Sequence, residues 1–197
     1  MILGLTGGMG CGKSTAAKLF ANAGFQLIDT DAIVRTEVLT DPAIIRQICE
    51  HFGSEIAPEG VIDRARLAEK VFASPEERRW LEALTHPEVR RRWREKVDQA
   101  PKERWVVEIP LLFEKDLHKL VDFTVCVACS ERLQFVRLEQ RGVSRMLAEQ
   151  RISQQLPLAR KVELSDFVLS NDGTAAFLEQ QVKHLVARLS AGSLSRF

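Results

Sequence analysis

Gly7, Gly8, Gly10 and Gly12 fall within six positions and are followed directly by Lys13 and Ser14, so residues 7–14 satisfy G-x-x-x-x-G-K-[ST]. Residue types in this order do phosphate chemistry. The glycines let the main chain wrap until its N–H groups point inward at phosphate oxygens, and the start of a helix adds positive potential. A lysine then reaches the phosphate being transferred, and the neighbouring hydroxyl can ligate Mg²⁺. On this reading Gly8, Gly10, Cys11, Gly12, Lys13, Ser14 and Thr15 line a nucleotide cradle, with Ser14 on the metal. The alternative is a glycine-rich turn with an exposed lysine. It offers little packing reason for four glycines ahead of Lys-Ser at a strand-to-helix junction.

The acids and bases elsewhere are less sharply defined. Asp29 and Asp31 follow an apolar run at the end of the second expected strand, on the sheet edge that carries the glycine loop. A carboxylate there can orient an acceptor hydroxyl and take its proton, or help hold Mg²⁺. Equally, either aspartate can cap a helix beginning near Ala32, and position alone leaves both roles open. Glu108 ends a later strand, where it suits a metal-side carboxylate or a paired structural charge. Thr85-His86-Pro87 places a proline well suited to a first helical position, with His86 extended before it, so that His86 and Arg90 can face a substrate from one helix start. The adjacent Arg91, Arg92 and Arg94 make a solvated helix the simpler reading of spacing alone. Arg137 and Arg141 are four apart and share a face if both are helical, where they suit phosphate oxygens or surface ion pairs with acids such as Glu139. Cys126 and Cys129 form a CxxC inside an expected strand, where residues three apart face opposite ways. With no second CxxC to complete a zinc site, they read as core cysteines.

These residues need a scaffold, and the apolar pattern supplies one. Ile2 to Thr6, Phe25 to Ile28, Trp105 to Ile109, Phe123 to Ala128 and Phe167 to Leu169 are short apolar runs consistent with buried strands, separated by helical patterns. From Ser14 onward Ala16, Ala17, Leu19, Phe20 and Ala23 recur at helical spacing until Gly24. Such alternation implies an α/β fold with a parallel five-stranded sheet covered by helices on both faces, its ligand crevice beyond the carboxyl ends of the strands. Residues 40–101 are strongly charged and helical without a strand, which predicts a substrate-capturing insertion into a core made of residues 1–39 and 102–197. Within that core, residues 130–158 are predicted to form a helical lid carrying Arg132, Arg137, Arg141, Arg145 and Arg151, with Arg160 just beyond.

Composition sets the outer bounds. The chain has 197 residues, 45% of them hydrophobic, and 28 basic against 27 acidic side chains give a formal charge of 28 − 27 = +1. That is ample material for a core and no bulk attraction to nucleic acid. No basic start with a long apolar centre opens the chain, and no apolar run approaches the ~18 residues of a membrane span, so a soluble, cytoplasmic protein with no membrane partner is expected. Four scattered cysteines predict free thiols.

Taken together, the loop Gly4 to Ser14, Ile28-Asp29-Thr30-Asp31, Gly60-Val61-Ile62-Asp63-Arg64, Thr85-His86-Pro87, Pro110-Leu111-Leu112-Phe113-Glu114, Arg151-Ile152-Ser153-Gln154-Gln155 and Asp166 to Asn171 resemble the dephospho-CoA kinase family from the first strand to about Gly173. The resemblance implies a P-loop NTP hydrolase-like kinase fold and an enzyme that moves the γ-phosphoryl of ATP to the ribose 3′-hydroxyl of dephospho-CoA with Mg²⁺. It further implies Asp31 as general base, Lys13 and Ser14 as ATP and metal residues, Arg137 and Arg141 as lid residues over the nucleotide, and Asn171 near the adenine. The helical insertion becomes the dephospho-CoA-binding domain, which raises Arg64, His86 and Arg90 as substrate residues alongside Asp31 and Glu108. Cys11 stands where serine is common, at a position that contributes its N–H. A kinase of nucleoside monophosphates or of another small molecule shares the same loop, and a GTPase-like switch is disfavoured by the lack of an Asn-Lys-x-Asp motif.

Overall fold

A computed structural model describes residues 1–191. The chain divides into two compact units, Met1–Ile28 with Pro101 onward, and Asp29–Ala100. The elements run β1 (Ile2–Gly7), α1 (Lys13–Asn22), β2 (Gln26–Asp29), α2 (Thr30–Ile33), α3 (Pro42–Phe52), α4 (Arg64–Ala73), α5 (Pro75–Gln99), β3 (Trp105–Glu108), β4 (Phe123–Ala128), α6 (Glu131–Glu139), α7 (Arg145–Ser153), α8 (Leu158–Leu164), β5 (Phe167–Ser170) and α9 (Ala175–Ser190).

In the first unit the five expected strands form one parallel sheet of order β2-β3-β1-β4-β5. The central strand β1 is buried from Leu3 to Gly7 with no polar alternation, because helices cover both of its faces. The buried cluster joins Leu3, Leu5, Val106, Val125 and Val127 of the sheet to Ala16, Ala17 and Phe20 of α1 and to Leu178, Val182, Leu185 and Leu189 of α9, the last four at helical spacing. Register places Leu5 beside Glu108 and Thr6 beside Cys126, so the chain ends of β1, β3 and β4 reach the same rim. Asp166 pins β5 to β4, its Oδ2 accepting both the N–H and the hydroxyl of Thr124 at 2.7 Å.

Beyond Asp29, the last residue of β2, the second unit is helical, with short 3₁₀ and π turns. Its core gathers Ile44, Ile48, Phe52, Ile56, Val89 and Trp93. Arg92 ties α5 to the chain ahead of α3 through the Glu37 carbonyl at 2.9 Å and Asp41 at 2.6 Å. His51 stacks on Trp80, with ring centroids 3.8 Å apart.

Two expectations about helix ends are corrected. Pro87 does not begin a helix but lies inside α5. The start is set earlier by Ser74, whose hydroxyl accepts from the N–H groups of Glu76 and Glu77 ahead of Pro75 at the first position. The helical run then continues through Pro87 at the loss of one main-chain donor. Arg141 does not share a helix with Arg137. Gly142, at φ 76°, ends α6, and the bonds from Gly142 N to Glu139 O and from Val143 N to Leu138 O close its last turn. Among the described residues no helix is long and apolar enough to cross a membrane.

Candidate active site

The glycine loop runs from the end of β1 into α1 and lies on the sheet rim. Gly12 sits at φ 93°, and a Cβ there would meet Asn171 Nδ2 at 2.2 Å, so both the backbone and the close packing demand glycine. Lys13 folds back over the loop, donating to Gly7 O at 3.3 Å and Gly8 O at 3.1 Å. Cys11 is fully buried, and its N–H donates to Gly8 O at 3.2 Å. Ser14 Oγ is 3.0 Å from Glu108 Oε1. That carboxylate belongs to the last residue of β3 and is only 7% exposed, so the parallel sheet has brought a hydroxyl and a buried carboxylate together beside the loop. Thr15 follows on the first turn of α1, its N–H donating to Gly12 O.

A second group braces the loop from outside. Asn171, buried just after β5, donates Nδ2 to Cys11 O at 2.8 Å and its own N–H to Ala128 O. Arg137 on α6 donates Nη2 to the Asn171 carbonyl at 2.8 Å, and its buried Nη1 has no hydrogen-bond partner among the described residues. An unpartnered buried guanidinium nitrogen is costly to a protein alone and suits an anionic guest. Gln134 Nε2 donates to Cys11 Sγ at 3.1 Å, and Cys129 Sγ lies 3.4 Å from the same sulfur. The donation from Cys129, together with Gln134 and the Lys13 charge, pulls the Cys11 thiol down to about 6 against the opposing effect of burial. Cys129 is pushed upward, first by its bond to Cys11. Burial raises Cys126 to about 11. All four cysteines are free. Arg141 is exposed in the turn after α6.

In the helical unit Asp29 accepts from Ala32 N at 3.0 Å and is therefore the cap of α2, while Asp31 lies exposed in its first turn. The two aspartates thus divide, one capping and the other open to solvent. Arg64 is the exposed first residue of α4. His86 and Arg90 sit four apart inside α5, half-buried and exposed respectively, so helical spacing still gives them a common face.

Sequence reasoning missed a buried ion pair. Lys161 on α8 is fully covered and bonds Glu114 Oε1 at 2.9 Å and Pro110 O at 2.7 Å. The Pro110 carbonyl also accepts from Thr6 Oγ1, the residue ahead of the loop, and Glu114 Oε1 accepts from Leu156 N beyond α7. This pair therefore ties the exit of β3 to the loop strand and to the end of the expected lid. Glu114 stood in a motif of the resemblance without a role, and Lys161 carried no local signal at all.

A parallel sheet of this order, opening onto a G-x-x-x-x-G-K-S loop with a hydroxyl and a carboxylate at its mouth, defines a P-loop phosphotransferase. Relatives narrow the class. The sequence model described as dephospho-CoA kinase matches residues 1–176. The dephospho-CoA kinase of Gloeobacter violaceus is 38% identical over 191 residues, spanning 96% of this chain and 93% of its own, and that of Escherichia coli is 37% identical over 190 residues, spanning 94% and 91%. The dephospho-CoA kinase structure from Campylobacter jejuni superposes with a TM-score of 0.75 at 27% identity over 98% of both chains. TT1252 from Thermus thermophilus gives 0.76 at 35% identity over 96% of this chain and 97% of its own. The chain belongs to the dephospho-CoA kinase family. Shikimate kinase from Acinetobacter baumannii, at 14% identity and a TM-score of 0.53, shares the fold.

Proposed function

We propose that this chain transfers the γ-phosphoryl group of ATP to the ribose 3′-hydroxyl of dephospho-CoA, giving coenzyme A and ADP in the last step of coenzyme A synthesis in the cytoplasm. Family membership supports the acceptor. The observation that carries the chemistry is the Ser14 hydroxyl 3.0 Å from the Glu108 carboxylate, next to a loop over which Lys13 is folded.

In this reading the loop amides and Lys13 hold the phosphates, and Arg137 offers its unpartnered nitrogen to charge that develops in transfer. Asp31 accepts the proton of the attacking hydroxyl, a role consistent with its exposure once Asp29 has taken the capping position. Arg64, His86 and Arg90 bind the acceptor from the helical unit, Arg141 assists from the lid, and Asn171 braces the loop near the nucleotide. A hydroxyl beside a carboxylate is an oxygen donor set that fits Mg²⁺, which takes one or two protein oxygens and fills its shell with water and phosphate. Ser14 and Glu108 are the residues that would hold it, and when bound it would supply positive charge against the phosphates. In-line transfer then rests mainly on positioning and electrostatics.

Initial rates of ADP formation with dephospho-CoA, a nucleoside monophosphate and a sugar-like acid test the acceptor. Dephospho-CoA is expected to turn over fastest. A nucleoside monophosphate consumed far faster would replace it in this reading.

A further inference from the structure

Cys11 and Cys129 are 118 positions apart in sequence, yet their sulfurs are 3.4 Å apart. One belongs to the nucleotide loop and the other follows β4. We propose that this pair is an oxidation site, in which a hydroperoxide joins the two sulfurs as a disulfide and thereby disables the nucleotide loop.

The surroundings distinguish this pair from the other thiols. The Cys129 hydrogen bond acts most strongly on Cys11 Sγ, and Gln134 Nε2, donating at 3.1 Å, and the Lys13 charge act on the same sulfur. These groups stabilise a thiolate, and Cys11 ionises near pH 6, whereas Cys126 is held protonated by burial. Thiolate is the reactive form. Cys11 is fully covered and Cys129 is 6% exposed, which restricts the first oxidant to a molecule of water-like size. Hydrogen peroxide meets that condition. The Cys11 thiolate attacks one peroxide oxygen, the O–O bond breaks, and hydroxide leaves to be protonated to water, giving a sulfenic acid on Cys11. The Cys129 sulfur then attacks the sulfenic sulfur, the S–O bond breaks, and the departing hydroxide takes the Cys129 proton. Two thiols and one peroxide become one disulfide and two waters.

Closing the bond needs the sulfurs to approach from 3.4 Å to a bonded separation of ~2.05 Å. Residue 11 is drawn towards β4 as this happens. Its N–H and carbonyl are the groups that fix the loop, through Gly8 O and Asn171 Nδ2. The amides that face phosphate therefore lose their arrangement. The reverse coupling also holds. A bound triphosphate puts negative charge beside Cys11, raises its pKa, lowers the thiolate fraction and slows the oxidation.

The test treats the folded full chain with hydrogen peroxide and titrates ATP before and after, then denatures a sample, alkylates the remaining thiols and maps the peptides. A linked Cys11–Cys129 peptide is expected, with Cys49 and Cys126 alkylated, ATP affinity at least about tenfold weaker, and recovery with a dithiol. The crosslinking rate should climb through about pH 6 and fall when ATP is present. Cys129→Ser and Cys129→Ala should each keep, under peroxide, the ATP affinity that they show before treatment. The proposal is overturned if both thiols are alkylated when the peroxide-treated protein is afterwards denatured, if the linked form binds ATP as tightly as the reduced one, or if the Cys129 variants lose affinity at the wild-type rate. Peptide mapping and ATP binding read these outcomes without reference to the acceptor, so an error in acceptor identity leaves the test intact.

Discussion

Polar side chains are used differently in the two units. Around the nucleotide loop they point at the main chain: Lys13 at Gly7 O and Gly8 O, Asn171 at Cys11 O, Arg137 at Asn171 O, and both Thr6 and Lys161 at Pro110 O. In the helical unit many of them point at each other across one turn, as in Arg91 with Glu88 and Glu95, Arg94 with Asp98, Arg78 with Glu82, and Arg66 with Asp63. Side chain to backbone bonds fix where amides and carbonyls lie, which a phosphate cradle requires. One-turn ion pairs on a helix surface contribute little to folding and position nothing beyond themselves. They do reveal which cations are left over. Arg46, Arg64, Arg79 and Arg90 make no ion pair among the described residues of that unit, and the two singled out as substrate ligands are among them.

The largest effect is expected where the helical unit is proposed to contribute chemistry as well as binding. Asp31→Asn keeps the shape of the side chain but accepts no proton, so kcat should fall by about 10²–10⁴, with ATP affinity nearly unchanged. Steady-state rates paired with ATP titration check this. Near-normal turnover would return Asp31 to a structural role. Next is the buried pair of the loop unit. Lys161→Ala strands Glu114, which is 15% exposed, and breaking such a pair costs about 3–5 kcal/mol. Denaturant unfolding reads it. A loss below about 1 kcal/mol would mean that the pair is screened like the surface pairs of the helical unit, and the contrast between the units would fail.

How far the sequence foretells these regions follows from the same difference. The loop was legible because its chemistry demands a backbone that only glycine takes easily, as at Gly12, so residue type itself is the signal. The three inner strands were legible because burial on both faces leaves uninterrupted apolar runs. The braces were not. Gln134, Cys129 and Lys161 owe their roles to partners distant in sequence, and nothing next to them marks it. Spacing failed for Arg141 because a count of four ignores the stop that Gly142 imposes. It failed for Pro87 because Ser74 and Pro75 had already begun the helix. Asp29 and Asp31 were equal on position and became distinct only through a bond to Ala32 N.

Arg90 and Arg91 allow the sharpest comparison, being adjacent on one helix with opposite surroundings. Arg91 spans Glu88 at 2.8 Å and Glu95 at 2.7 Å, whereas Arg90 makes no ion pair among the described residues. If Arg90 grips the acceptor, Arg90→Ala should raise the KM for dephospho-CoA by about tenfold or more, the loss of one charge-assisted hydrogen bond, with the KM for ATP unmoved. Arg91→Ala should leave both KM values and the unfolding midpoint at wild-type levels, because an exposed helix pair is screened and offset by side-chain entropy. Equal KM effects from the two variants would show that the acceptor responds to the overall charge of the helix, and the assignment of Arg90 as a specific ligand would then fall.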